Sequence, residues 1–146
     1  MFIAKYNDQI VGVGSDKIKL EASLSSRCKL FTSIEETAET YVLYDGKYVL
    51  ESEIAALRSA KAANIALTAA DVERALYRAK QIDFDDVLAR AATLGSVDVK
   101  ALKIELKANH FYRKNPYVNQ IGALLGITPE QLDEFFLTND YTKLLS

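Results

Sequence analysis

Cysteine and histidine occur once each in this chain, proline twice and tryptophan not at all. The lone Cys28 has no partner for an internal disulfide, which fits a reducing compartment. The lone His110 cannot anchor a zinc site by itself. A strong charge of either sign is missing too: 18 basic residues face 20 acidic ones, for a net charge of −2. No bulk attraction to nucleic acid or to an anionic membrane arises from such a balance. No window approaches eighteen consecutive apolar residues, so no span is expected to cross a bilayer. The opening MFIAKYNDQIVGVG lacks the basic region and long apolar run of a signal peptide. A phosphate-cradling loop is absent as well, because Gly12-Val13-Gly14 has neither a third glycine nor a long helix after it. What is present is 146 residues that are 49% hydrophobic and 26% charged, an ordinary soluble composition. That length suffices for one domain or two small ones and buries roughly 68–70% of the extended surface.

The expected fold class is α+β. A small antiparallel β-sheet module is followed by an alanine-rich connecting helix and a C-terminal helical bundle. Residues 2–14 read as a β-hairpin, with Asn7-Asp8 tolerating positive φ at a tight turn. Over Asp16 to Leu24 alternation argues for a strand, while the Ser15/Asp16 cap and the composition favour a short helix. Cys28 to Ser33 reads as a strand and residues 35–40 as a loop. The clearest β signal is Tyr41–Tyr44 and Lys47–Leu50 around Asp45-Gly46, a type I′ hairpin signature. Residues 1–50 thus form a β-rich domain of about five strands with cross-strand aromatic pairs.

At Glu51 the composition changes. Residues 51–81 contain ten alanines and neither glycine nor proline, a helical connector. Two readings compete. Thr68, with Asp71 three residues on, caps a second helix; or one helix of roughly thirty residues spans about 45 Å and needs self-association to cover its apolar stripe. Residues 82–146 form the C-terminal helical domain. Asp83 caps a helix ending at Gly95. Asp98 caps another whose apolar residues, Val99 to Tyr112, fall on several faces, as in a buried central helix. Asn115-Pro116 stops it and opens the next, and Thr128-Pro129-Glu130-Gln131 is a capping box for the last.

Few residues carry a chemical signal. Gln120 to Phe136 has helix-turn-helix spacing, yet residues 128–140 hold Glu130, Asp133, Glu134 and Asp140 and no Lys or Arg. Four carboxylates facing a polyanion have the wrong sign for DNA reading, so nucleic acid is not an expected partner. The basic cluster Lys103, Lys107, Arg113 and Lys114 reads as a solvated helix face. Asp83, Asp85 and Asp86 are too few and too close for a calcium loop. His110 and Cys28 lack any activating motif. No catalytic residue, cofactor site or metal site is therefore expected. The candidate interaction residues are Tyr41, Tyr44 and Tyr48 of the hairpin, with Tyr6 nearby, since tyrosine offers large contact area at low entropy cost. Leu132, Phe135 and Phe136 stand open between core and contact surface.

The segment YVLYDGKYVLESEIAALRSAKAAN, an aromatic hairpin feeding directly into a helix, resembles small accessory proteins encoded in the tail regions of phages and prophages. Those begin with a small β module, like FIAKYNDQIVGVG here, and continue into helices; the resemblance covers about residues 1–65. It implies a non-enzymatic accessory or assembly protein acting through protein–protein contacts with a virion or host protein or with another copy of itself. It also implies a place in the host cytoplasm or on the virion. Two alternatives come from other classes. One is an inhibitor of host defence that binds a protein or a nucleotide, with a basic pocket near Lys103, Lys107, Arg113 and Lys114. The other is a helix-turn-helix DNA-binding regulator.

Overall fold

Asn7 and Asp8 hold φ angles of 49° and 61°, and the turn they make joins β1 (Phe2–Tyr6) to β2 (Gln9–Gly14). The computed structural model describes residues 1–145, and it divides the chain into two compact units, Met1–Ala55 and Ala56–Ser146. The class is α+β, as expected.

In the first unit, Asp16 accepts from the amide of Lys19 and starts α1 (Lys17–Ser26), settling that stretch as helix. Its Leu20 and Leu24 pack with Ala4 on one face of the sheet. Gly12 makes this approach possible, because a Cβ there would sit 3.0 Å from a Leu24 methyl. Of the expected strand Cys28–Ser33 only Ser33 is in one, while Glu35 and Glu36, expected in a loop, are strand as well. Instead β3 (Ser33–Glu36) lies further along and pairs antiparallel with β1, giving the order β2-β1-β3. Lys5 bonds Glu35 at 2.8 Å, diagonally across that pairing. This holds the Glu35 carboxyl below its usual range and the Lys5 ammonium above its own, each through the hydrogen bond first. β4 (Tyr41–Tyr44) and β5 (Lys47–Leu50) form a hairpin over Asp45 and Gly46, at φ 47° and 78°. They make a separate two-stranded sheet, so the expected single sheet of about five strands is two sheets.

The reason Cys28 escapes the strand is the way α1 ends. The amide of Lys29 donates to Leu24 O (3.0 Å) and that of Cys28 to Ser25 O (3.1 Å). This is the Schellman closure, which needs a left-handed residue, and Cys28 supplies it at φ 53°. Glycine takes that conformation freely. Cys28→Gly is expected to stabilise this unit by about 0.5–1 kcal/mol, the left-handed penalty of a side chain less the entropy that glycine loses on folding. Urea unfolding checks it, and a destabilised variant would show that Cys28 is held there by contacts.

The alanine-rich stretch resolves into two helices rather than one. α2 (Ile54–Ala63) ends before β6 (Ala66–Thr68), and Thr68 then caps α3 (Ala69–Lys80) by accepting from the amide of Asp71. The thirty-residue helix falls away, and with it the argument for self-association that rested on its bare stripe. From Ala56 onward the second unit also contains α4 (Phe84–Leu94), α5 (Val99–Glu105), β7 (His110–Tyr112), α6 (Pro116–Leu125) and α7 (Pro129–Thr138). Asp83 with Asp86, and Thr128 with Gln131, form reciprocal capping boxes.

The expected long helix from Asp98 to Tyr112 stops at Glu105, seven residues in. β7 then pairs antiparallel with β6, Leu67 opposite Phe111. Ala69 N–H to Asn109 O (2.9 Å) and Arg113 N–H to Ile65 O (3.0 Å) extend the ladder at both ends. Strand geometry points Phe111 inward, edge-on to Phe84 at 5.8 Å, and leaves His110 and Tyr112 outside. The core of this unit runs from Leu67 to Leu144 and includes Val87, Leu102, Ile121, Leu132, Phe135 and Phe136. A 3₁₀ turn at Tyr141–Leu144 docks on this core, with Leu144 buried and Gln131 donating to Leu145 O.

Candidate functional site

The three hairpin tyrosines do not form one surface. Leu43 lies opposite Tyr48 and Tyr41 opposite Leu50, so these four share one face. Tyr44 is opposite Lys47 and falls on the other face with Val42 and Val49. Tyr41 is engaged locally: its hydroxyl donates to Glu39 at 3.1 Å, a bond that pushes the phenol above its usual pKa. Of the three, Tyr48 alone lines a large concavity.

That concavity is an open cleft of about 680 Å³ in the first unit. One wall is the start of β2, Gln9 to Val11, with Tyr6 beside the turn. A second wall is the segment leaving α1, Arg27 to Leu30. The third is the β4–β5 hairpin, through Leu43, Gly46 and Tyr48. Its volume lies within the range of about 300–1,000 Å³ typical of ligand pockets. Three large apolar side chains around it stay in water: Leu30 is 69% exposed, Leu43 63% and Tyr6 37%. Tyr48 and Tyr6 are legible in the sequence as members of a tyrosine-rich face, whereas Leu30, Leu43, Arg27 and Lys29 are not. Leu43 alternates with its neighbours and so carries no special mark. Cys28 to Leu30 fall within the expected strand, whereas Arg27 to Leu30 continue from the end of α1.

The second unit offers a contrast. Its central cavity holds only about 30 Å³ and is walled entirely by apolar side chains and Gly122, a packing void with nothing to bind water. Leu132, Phe135 and Phe136 line that void and are buried, so they are core and present no contact surface. Gly122 belongs to the same packing: a Cβ there would lie 2.7 Å from a Leu132 methyl and 3.1 Å from Ile127 O, which lets α6 and α7 close on each other.

The basic cluster expected on a solvated helix face also breaks up. Arg113 is only 6% exposed. Its Nη1 donates to Asn119 Oδ1 (2.8 Å) and its Nη2 to Pro129 O (3.1 Å). Its Nε lies 2.7 Å from Asp133 Oδ1, an ion pair whose N–H is not aimed for a hydrogen bond. Asp133 is buried with it, so one of the four carboxylates counted against DNA reading is inside and neutralised. Glu130 and Glu134 remain on α7, Glu134 paired with Arg58 at 2.7 Å, and the helix still brings no cation to a phosphate.

Asp83 and Asp86 are occupied in their capping box, and Cys28 and His110 belong to different units. Among the described residues, no group of three or more His, Cys, Asp or Glu converges as metal ligands would. No helix of the described residues is long and apolar enough to cross a membrane. Compared with known proteins, the chain matches no family model, no curated protein and no solved structure.

Proposed function

We propose that this chain is a non-enzymatic binding protein that works by presenting surface, with the cleft of the first unit as its grip on a protein partner. It is the role implied by the resemblance to phage and prophage tail-region accessory proteins: an accessory or assembly factor. One observation carries the reading. Leu30, Leu43 and Tyr6 remain in water around a single concave site, while the small core cluster of the same unit is built from Ala4, Leu20 and Leu24. Large apolar groups gathered around a cavity and excluded from the core are what a contact site keeps available.

Cys28 lines the cleft and is the chain's one thiol, so it reports on occupancy. A benzophenone attached there is expected to cross-link, in extract of the source cell, to a discrete protein. The adduct should vanish in Leu30→Asp/Leu43→Asp and survive Ile104→Asp in the other unit. Adducts indifferent to Leu30 and Leu43, or none at all, would remove the reading.

A further inference from the structure

The cleft has a charge of its own. The first unit is acidic: residues 1–55 hold six Lys or Arg against nine Asp or Glu. Yet the ionisable side chains of fixed charge that line the cleft are Arg27 and Lys29, both cationic and both exposed. Among the described residues neither has an ion-pair partner, unlike Lys5, which is held by Glu35. Asp8 and Lys47 flank a smaller depression next to the cleft, of about 350 Å³, and offset one another. Two uncompensated cations thus stand over Leu30, Leu43 and Tyr48 in a unit whose remaining surface is negative.

The backbone adds a direction. β2 is an edge strand, paired with β1 on one side only, and its first residues form the cleft wall. Between Ala4 and Lys5 the register shifts, so Val11 has no partner in the ladder. An edge strand offers unpaired main-chain donors and acceptors to an incoming extended chain.

We propose that the cleft binds an extended acidic peptide segment of a protein partner, its apolar side chains seated against Leu30, Leu43 and Tyr48 and its carboxylates meeting Arg27 and Lys29. This rests on the contact reading above and adds the chemistry of the partner. Alternation in an extended chain serves both needs, since successive side chains point to opposite sides. Opposite charge at the rim speeds encounter and rejects basic competitors, and salt weakens it.

The test uses the full chain and three fluorescein-labelled probes read by anisotropy: a hexapeptide alternating Glu and Leu, one alternating Lys and Leu, and a cyclic dinucleotide. The Glu/Leu peptide is expected to bind at least tenfold tighter than the Lys/Leu peptide. Raising salt from 50 to 500 mM should weaken it severalfold, and Arg27→Glu/Lys29→Glu should weaken it at least tenfold. Both substitutions are at exposed positions, and circular dichroism confirms that the variant is folded. N-methylation of alternate amides in the Glu/Leu peptide should cost a further severalfold if its backbone pairs with β2. Equal binding of the two peptides, abolished for both by Leu43→Asp, would overturn the acidic assignment while leaving the cleft a contact site. Binding of neither peptide, indifference to the Arg27/Lys29 reversal, or preference for the dinucleotide would overturn it as well. The Cys28 cross-link then decides separately whether the contact reading survives.

Discussion

Arg113→Ala will cost the second unit about 3–5 kcal/mol, the range for breaking a buried ion pair by removing one partner. The size comes from what is left behind. Asp133 stays inside with no cation, and Asn119 and the Pro129 carbonyl lose their donors. An uncompensated buried charge is far costlier than the pair was favourable. Domains of this size are stable by only about 5–15 kcal/mol, so the variant loses a large share. Urea unfolding followed by circular dichroism gives the magnitude, and hydrogen exchange should show protection lost first in α6 and α7. Arg113→Lys does not rescue it, because an ammonium cannot span three partners that the planar guanidinium fork reaches. The informative control is Arg113→Met/Asp133→Leu. Replacing both charges with apolar groups is expected to be neutral or stabilising by about 1–4 kcal/mol. A single Arg113→Ala variant within about 1 kcal/mol of wild type would mean that Asp133 finds water, and the pair would lose its structural role.

That ion pair also marks the limit of what the sequence discloses. Signals contained within a few residues were legible. Asp16, Asp83, Asp98, Asn115 and Thr128 all cap helices where their spacing said they would, and Thr68 caps one under one of the two readings its stretch left open. Asn7-Asp8 and Asp45-Gly46 turn both hairpins. What failed depends on distant partners. Three-residue β6 lies in an alanine-rich run, and its pairing with β7 joins Leu67 to Phe111 across the whole of α3, α4 and α5. No local pattern announces such a pairing, and helix-forming neighbours hide it. In β7 and just beyond it the inward residues are Phe111 and then Arg113, while His110 and Tyr112 face water. A buried arginine beside an exposed tyrosine inverts the polarity that alternation is read from, so His110 to Arg113 looked like the end of a helix. The candidate site was legible only through its tyrosines, Tyr48 and Tyr6. Its other walls are exposed residues at a helix end, where neither periodicity nor composition separates a cleft wall from ordinary surface.

Phe135→Ala will cost about 3–5 kcal/mol, the usual range for truncating a buried phenylalanine to alanine. Phe135 is 1% exposed and stands edge-on to Phe136 at 5.7 Å, in the wall of a void that is already present. Removing the ring therefore enlarges an existing defect, and α6 and α7 already meet closely at Gly122, where a Cβ would lie 2.7 Å from a Leu132 methyl. The cost grows with the cavity that remains. The experiment also separates the two roles that the sequence left open for this residue. A contact residue would weaken partner binding and leave the isolated chain's stability within about 0.5 kcal/mol, the behaviour expected of Leu43→Ala at its 63% exposed position. A core residue does the reverse. Phe135→Ala should lower the urea midpoint sharply while the Cys28 adduct still forms at a temperature where the variant remains folded. Leu43→Ala should keep the midpoint and lose the adduct. If the two variants exchanged behaviours, the core would lie at the hairpin and the contact surface on α7, contrary to the burial of Phe135 and the exposure of Leu43.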